Sequence, residues 1–180
     1  MNKLTPLTWI TAIIGIYHLT IIGQLPTWLG LFLPNQIHLA ISATCALFLI
    51  FSLRRPSAKH DSPHGTEKVE GRAQIPWYDY LLMASTAVGA GFVMFFFDEI
   101  DDYSMYGELD TKGIIVAMFL VIPLFEGIRR TTGWALPIII FTFVLGTLFQ
   151  QFLPGLLYGK GYPIERLLFS SYVGESGIFG

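Results

Sequence analysis

The sequence predicts an all-α integral membrane protein with about five transmembrane helices, at least four, and an amphipathic interfacial helix near the C-terminus. Only 13% of its 180 residues are charged and 53% are apolar, whereas about 25% of residues are charged in soluble domains. Between Lys3 and Arg54 there is no Asp, Glu, Lys or Arg. A soluble domain of this size has a high surface-to-volume ratio and needs charged residues on its surface, so this run excludes a soluble fold.

The uncharged run is long enough for two spans joined by a turn. One helix across ~30 Å of hydrocarbon needs ~20 apolar residues, and Pro26 and Pro34 mark where the chain turns back. The short apolar piece 27–32 between them fits either a loop or an interfacial half-helix. We predict a helical hairpin over residues 1–53, with spans at about 7–23 and 36–53.

Three further spans are predicted within residues 77–153. Ser85 and Gly89 are small residues four positions apart, a spacing that lets membrane helices approach closely, although it is also common as a general packing face. Pro123 is expected to interrupt the fourth span. The spans lie at about 77–97, 113–130 and 134–153.

The segments between and after the spans differ in composition. Residues 54–76 are rich in charge, proline and glycine and predict a disordered cytoplasmic linker. Residues 98–112 carry six carboxylates and one lysine and predict an acidic periplasmic loop. In the tail, 154–180, the apolar positions of 163–169 fall on one helical face, which predicts a helix lying in the membrane interface.

The distribution of lysine and arginine predicts a cytoplasmic N-terminus and a periplasmic C-terminus. Eight of the eleven basic residues are then on the cytoplasmic side. No cleavable signal peptide is predicted, because only Lys3 precedes the first apolar run and no small-residue cleavage site follows it. The basic residues left on the outer side are Lys112, Lys160 and Arg166.

The polar residues do not form the pattern of a self-contained enzyme or motor. There is no Walker A loop and no Ser-His-Asp set, and the single cysteine, Cys45, excludes an internal disulfide. A net charge of −2 without a basic stripe argues against nucleic acid. No internal repeat with a midplane site is evident, as a self-sufficient transporter would need. We therefore predict a non-enzyme without a catalytic residue, metal site or cofactor of its own.

Two histidines give the main alternative. His18 lies in the first span and His38 opens the second, so on facing helices they are candidate ligands of a haem in the membrane anchor of a redox complex. The simpler interpretation is that each hydrogen-bonds a neighbouring helix or the headgroup region. His60 and His64 fall in the linker and are expected to be solvated.

A charged group closes the fourth span. Glu126 and Arg130 are four residues apart, with the acid first, which favours an ion pair on one helix face. The group fits a positive-inside stop with a local ion pair, or a docking point for another membrane subunit. The candidate residues for a subunit interface are Glu126, Arg129, Arg130, Ser85, Gly89 and Arg166.

A second charged group is the acidic run in the predicted loop. Such a run is usually a solvated surface, but it can also steer a partner that has a basic surface, because complementary charge raises the encounter rate. The candidate residues for docking a soluble partner are Asp98, Glu99, Asp101 and Asp102.

A series of short motifs gives the chain a family resemblance over roughly residues 37–180. The motifs are Ile37-His38-Leu39-Ala40, Pro76-Trp77-Tyr78-Asp79-Tyr80, Asp110-Thr111-Lys112-Gly113, Glu126-Gly127-Ile128-Arg129-Arg130 with Gly133, Leu153-Pro154-Gly155, Gly161-Tyr162 and Gly177-Ile178-Phe179-Gly180. In this order they resemble the small membrane component of tripartite ATP-independent periplasmic (TRAP) transporters, and especially the N-terminal region of the fused permeases of the TAXI subclass.

The resemblance implies one subunit of a sodium-driven importer in the bacterial inner membrane. A periplasmic binding protein would deliver an organic acid, and a large elevator subunit would hold the substrate and the Na⁺. The small component would act as a non-catalytic scaffold and help to dock the binding protein. In the fused relatives the chain continues into the transport domain after the Gly-Ile-Phe-Gly motif, so this chain is expected to be either a separate subunit or one part of a larger assembly.

Overall fold

The structure is a computed structural model that describes residues 6–30, 34–53, 75–175 and 177–179. These residues form α-helices, short 3₁₀ turns and connections, with no β-strand among them, which confirms the all-α prediction. The helices are α1 (Pro6–Ile22), α2 (Leu25–Trp28), α3 (Asn35–Leu53), α4 (Trp77–Phe95), α5 (Phe97–Tyr106), α6 (Thr111–Thr132), α7 (Ala135–Leu148) and α8 (Ile164–Tyr172), with 3₁₀ turns at Gln150–Phe152 and Gly155–Leu157.

Three of the described helices are long and apolar enough to cross a membrane: α3, α4 and α6, with 19, 19 and 22 residues. They fit the length of about 20 residues that a bilayer requires. The first and fifth predicted spans correspond to α1 and α7, which are apolar but shorter, with 17 and 14 residues. By length and composition the chain is therefore compatible with a membrane protein, with three candidate spans where five were predicted.

The core lies where α3, α4 and α6 pack together. Gly89 of α4 is buried, and a Cβ added there would lie 2.9 Å from both the Cβ and the backbone N of Leu120. That separation is shorter than normal van der Waals contact, so only glycine permits this approach of α4 to α6. The other buried apolar residues of the three helices are Ala40, Leu47, Phe51, Ala90, Val93 and Ala117.

Pro123 does not interrupt its helix, contrary to the prediction, since α6 runs through it from Thr111 to Thr132. Proline has no N–H, so it cannot donate to the carbonyl four residues earlier, which belongs to Phe119. The Ser85 hydroxyl of α4 donates to that carbonyl at 2.6 Å. A side chain from the neighbouring helix thus satisfies the backbone oxygen that the proline leaves unpaired, as membrane helices require.

The predicted acidic loop is also corrected, because most of it is the helix α5. Two apolar residues one turn apart, Ile100 and Tyr103, are buried against the core. Asp98 and Glu99 lie in the first turn, where carboxylates interact favourably with the helix dipole. Gly107 ends the helix in the left-handed conformation, with φ 69°. Burial of one face therefore makes an acidic segment helical.

The tail folds back onto the chain. Tyr172 of α8 is fully buried, and its hydroxyl donates a hydrogen bond to the Gly89 carbonyl. Phe179 is also buried, with its ring centroid 5.4 Å from that of Tyr172. The backbone N–H groups of Ile178 and Phe179 donate to Ser171 and Tyr172, at 2.9 and 3.0 Å. The tail motif Gly177-Ile178-Phe179 therefore has a structural role in closing this end of the core.

Two of the predicted connections are only partly described. Residues 27 and 28 of the predicted piece 27–32 belong to the single helical turn α2, and residues 31–33 lie outside the described structure. Of the predicted linker 54–76, residues 54–74 are likewise outside it, and Ile75 and Pro76 lead directly into α4.

Candidate functional site

A cluster of four charged residues joins the first turn of α4 to the last turns of α6. Arg130 donates to Asp79 at 2.6 Å and to Glu126 at 2.7 Å. Arg129 donates to both oxygens of Glu126, at 2.7 and 2.6 Å. The two helices run in opposite directions, so the third residue of α4 lies beside the end of α6. The cluster contains two acids and two bases and is formally neutral.

Burial separates this cluster into an inner and an outer pair. The side chains of Asp79 and Arg130 have no solvent exposure, while those of Glu126 and Arg129 are 23% and 21% exposed. Arg130 also lies over the Phe51 ring of α3, with its guanidinium carbon 5.0 Å from the ring centroid. One guanidinium therefore contacts all three helices of the core. A buried charge is tolerated only when it is paired in this way.

The outer pair faces the boundary between α6 and α7. The Arg129 guanidinium carbon lies 5.3 Å from the centroid of the Trp134 ring, within the range of a cation–π contact. Trp134 is exposed, and tryptophan is favoured at membrane interfaces. This arrangement fits a helix end at the edge of the bilayer, with Arg129 reaching toward the polar phase.

The Glu126–Arg130 ion pair was predicted from its i, i+4 spacing and is confirmed. Sequence reasoning missed the deeper partner, Asp79, since its pairing spans 51 residues. A signal was available: Asp79 is the sole acid in its span and follows the predicted helix start by two residues. If the third and fourth spans are antiparallel, Asp79 lies at the same depth in the membrane as the basic end of the fourth span.

The other predicted interface residues lie apart from the ion cluster. Ser85 and Gly89 face α6 of the same chain, at the Phe119 carbonyl and Leu120. Arg166 of α8 lies 3.6 Å from Glu108, and both side chains are about half exposed, so this ion pair adds little stability. Contacts of these residues with another subunit stay a prediction.

The predicted docking residues share the surface of α5. Asp98, Asp101 and Asp102 are exposed and Glu99 is partly buried. The apolar side of α5 is fixed to the core by Ile100 and Tyr103. The carboxylates are therefore presented on a helix that is held in place, rather than on the loop that was predicted.

Two hydrogen bonds to the Asp110 carboxylate connect α5 to the start of α6. The Tyr103 hydroxyl donates to Asp110 at 2.6 Å, and the Gly113 backbone N–H donates to the same oxygen at 2.7 Å. These two donors hold the pKa of Asp110 below its ordinary value. Burial, followed by the bond to Asp110, raises the pKa of Tyr103. Asp110 is thus an N-cap of α6 that is tied to α5.

We expect the charge of Asp110 to stabilise the protein in a pH-dependent way. Because the pKa is lower in the folded state, the stabilisation is complete above the ordinary aspartate pKa and is lost as pH falls through the lowered one. The Asp110→Asn variant can still cap the helix. Its melting temperature should be lower than that of the wild type at neutral pH, and the two melting temperatures should become equal in acid. Thermal unfolding in detergent across this pH range measures it. A gap that does not change with pH would contradict the assignment.

Two histidines and a tyrosine meet where α1 ends and α3 begins. The ring centroids of His18 and His38 are 5.4 Å apart, and that of Tyr17 lies 5.5 and 5.6 Å from them. The structure therefore brings together the two predicted candidate ligands. No cluster of three or more His, Cys, Asp or Glu with metal-binding geometry occurs within the described residues.

The outer face of the α4–α6 pair forms an open apolar groove of 550 Å³. Such a surface is unfavourable in water and suits lipid chains or another membrane helix. Ser85 lies in this groove, close to the exposed Phe119 side chain. The other residues lining it are Leu81, Leu82, Ala84, Val88, Ile114, Ile115, Met118 and Ile122.

Comparisons with protein-family models, with curated proteins and with solved structures gave no match to this chain.

Proposed function

We propose that this protein is the small, non-catalytic membrane subunit of a TRAP transporter of the TAXI type, which imports an organic acid with Na⁺. One observation carries the proposal. The motifs Trp77-Tyr78-Asp79-Tyr80 and Glu126-Gly127-Ile128-Arg129-Arg130, which carry the resemblance, meet in the buried Asp79–Arg130 ion pair. The paired side chains are 51 residues apart in the sequence, so the two motifs contribute to one structural contact.

The placement of charge supports a scaffold rather than a transport path. Ionisable groups within a membrane usually mark a path for ions or substrate. In the described spans the carboxylates and cations lie near helix ends, and Asp79 and Arg130 neutralise each other. In this proposal the substrate and the Na⁺ are therefore held by a large elevator subunit, and this chain widens the fixed part of the assembly.

The proposal also specifies the arrangement in the bacterial inner membrane. The shorter helices α1 and α7 complete a set of five spans, with the N-terminus cytoplasmic and the C-terminus periplasmic, according to the positive-inside rule. α8 lies in the outer interface. In this orientation the ion cluster is at the cytoplasmic end of α4 and α6, and α5 is on the periplasmic side, where a binding protein would approach.

Exposed apolar surface is available for a membrane partner. The α4–α6 groove and the exposed side chains of α7, among them Ile138, Phe141 and Phe143, present wide apolar faces. The partly exposed Glu126 and Arg129 lie at one end of these helices. We assign the α4–α6 groove to the large subunit, with Glu126 and Arg129 toward the end of α6.

Co-purification tests the proposal. The chain should be expressed with a large polytopic membrane protein encoded beside it, with an affinity tag on that protein only. We expect stoichiometric recovery of both proteins and loss of Na⁺-dependent uptake of an organic acid when this chain is omitted. An untagged, unrelated membrane protein of similar size serves as the control. Recovery of this chain as a monomer, with uptake intact in its absence, would overturn the proposal.

A charge-reversal variant tests the role of α5 in the same assay. Replacement of Asp98, Asp101 and Asp102 by lysine should weaken uptake at low ionic strength, and added salt should reduce the difference, because salt screens exposed charges. Glu165→Lys with Glu175→Lys, two acids outside α5, is the control. Uptake equal to wild type at every ionic strength would exclude docking at this surface.

A further inference from the structure

The cluster of His18, His38 and Tyr17 has the chemistry of a metal site. Imidazole nitrogen is a preferred ligand of Zn²⁺, Cu²⁺ and Ni²⁺. The three side chains are partly buried rather than enclosed, so an ion can reach them. The rings come from two different helices, and an ion held between them would connect α1 to α3.

The hydrogen bonds at the two rings favour one pair of ligand atoms. The Nδ1 of His18 lies 2.9 Å from the Ile14 carbonyl. A carbonyl only accepts, so this Nδ1 carries the proton, and the lone pair of the neutral ring is on Nε2. The Nδ1 of His38 lies 3.3 Å from the Tyr17 hydroxyl oxygen. In the tautomer that carries its proton on Nδ1, this nitrogen donates to that oxygen and the lone pair of the ring is on Nε2. No hydrogen bond engages either Nε2 within the part of the chain that the structure describes.

This pattern is typical of metal-binding histidines, in which one ring nitrogen donates to an oxygen of the protein and the other binds the ion. We propose that Nε2 of His18 and Nε2 of His38 bind one Zn²⁺, with Tyr17 and the Ile14 carbonyl holding the rings. Water or a small anion completes the four ligands that Zn²⁺ prefers. A haem would instead require a porphyrin to enter between two rings that are in edge contact.

The position of the site gives the ion a structural consequence. Among residues 9–22 of α1 no side chain is buried, so α1 is weakly held by packing. An ion that binds the folded hairpin and not the unfolded chain adds stability by mass action. Zn²⁺ would therefore fasten α1 to α3, independently of whether the protein is a transporter subunit.

Metal binding to the full-length protein tests the site directly. The chain has four histidines, so the protein is prepared without a His tag and with His60→Gln and His64→Gln in every sample. Isothermal titration with Zn²⁺ should then show one ion per chain. His18→Gln or His38→Gln should abolish this stoichiometric binding. Tyr17→Phe should weaken it about tenfold, near the low end of the range for an outer-shell partner, because its hydrogen bond is long.

Two further measurements keep the test decisive if a variant folds poorly. With one equivalent of Cu²⁺ on the background protein, pulsed electron paramagnetic resonance should count two imidazole nitrogens, and one or none overturns the site. Zn²⁺ should raise the melting temperature of the background protein and not that of His38→Gln. Binding that persists in both histidine variants, or a haem Soret band in the purified protein, would also overturn the proposal.

Discussion

Replacing Arg130 with methionine is expected to destabilise the protein by about 3–5 kcal/mol, the cost of breaking a buried ion pair by removal of one partner. The Asp79 carboxylate would stay fully buried but lose the guanidinium 2.6 Å away. The contact of that guanidinium with Phe51 would be lost as well. Thermal or denaturant unfolding in detergent micelles, followed by circular dichroism, measures the loss.

The neighbouring arginine provides a matched control. Arg129 is on the same helix and pairs with the same Glu126, but its side chain is partly exposed. Arg129→Met should therefore cost less than Arg130→Met, because Glu126 keeps its bond to Arg130 and no fully buried charge loses its partner. The double variant Asp79→Leu/Arg130→Met removes both buried charges and should recover much of the stability lost by Arg130→Met alone. Equal losses for the two arginines, or no recovery in the double variant, would contradict the assignment of Asp79 and Arg130 as a coupled pair.

Gly89→Ala should give the second large effect, a loss of about 1–3 kcal/mol from overpacking. The added methyl would lie 2.9 Å from the backbone N of Leu120, so relief requires α4 and α6 to separate. Separation would also strain the hydrogen bond from Tyr172 to the Gly89 carbonyl. The same unfolding measurement reports the change.

Two other glycines separate this effect from helix propensity. Gly91 is also within α4 and has nothing within 4 Å of an added Cβ, so Gly91→Ala should be neutral or slightly stabilising. At Gly127 the added Cβ meets Leu47 Cδ2 at 2.8 Å, and that atom ends a flexible side chain. The loss of stability in Gly127→Ala should therefore lie between those of Gly91→Ala and Gly89→Ala. If Gly89→Ala is tolerated as well as Gly91→Ala, the close approach of the helices is not needed for stability.

The sequence predicted the parts of this molecule that depend on local pattern. Length and apolar composition predicted α3, α4 and α6, and the i, i+4 spacing predicted the Glu126–Arg130 pair. The role of Asp79 was not predicted, because its pairing with Arg130 depends on the antiparallel packing of α4 against α6. No local sequence pattern contains that packing. The meeting of His18 with His38 was anticipated only as a consequence of the predicted hairpin.

The predictions for the acidic segment and for Pro123 were wrong for the same physical reason. In each case, contact with a neighbouring helix outweighed the local preference of the sequence. A dense run of acidic residues is typical of a loop, but burial of Ile100 and Tyr103 made α5 a helix. A proline inside a helix leaves a carbonyl unpaired, but α4 supplies the missing donor. Both outcomes required knowledge of which surfaces face each other.

The order of synthesis decides when the Phe119 carbonyl meets its donor. α4 precedes α6 in the chain, so the Ser85 hydroxyl is made before Pro123 emerges from the ribosome. An unpaired carbonyl in hydrocarbon costs several kcal/mol, and α4, if it is already in the bilayer, removes that cost as α6 arrives. In a bilayer, α6 is therefore more stable beside α4 than alone, because Ser85 supplies the donor that Pro123 lacks.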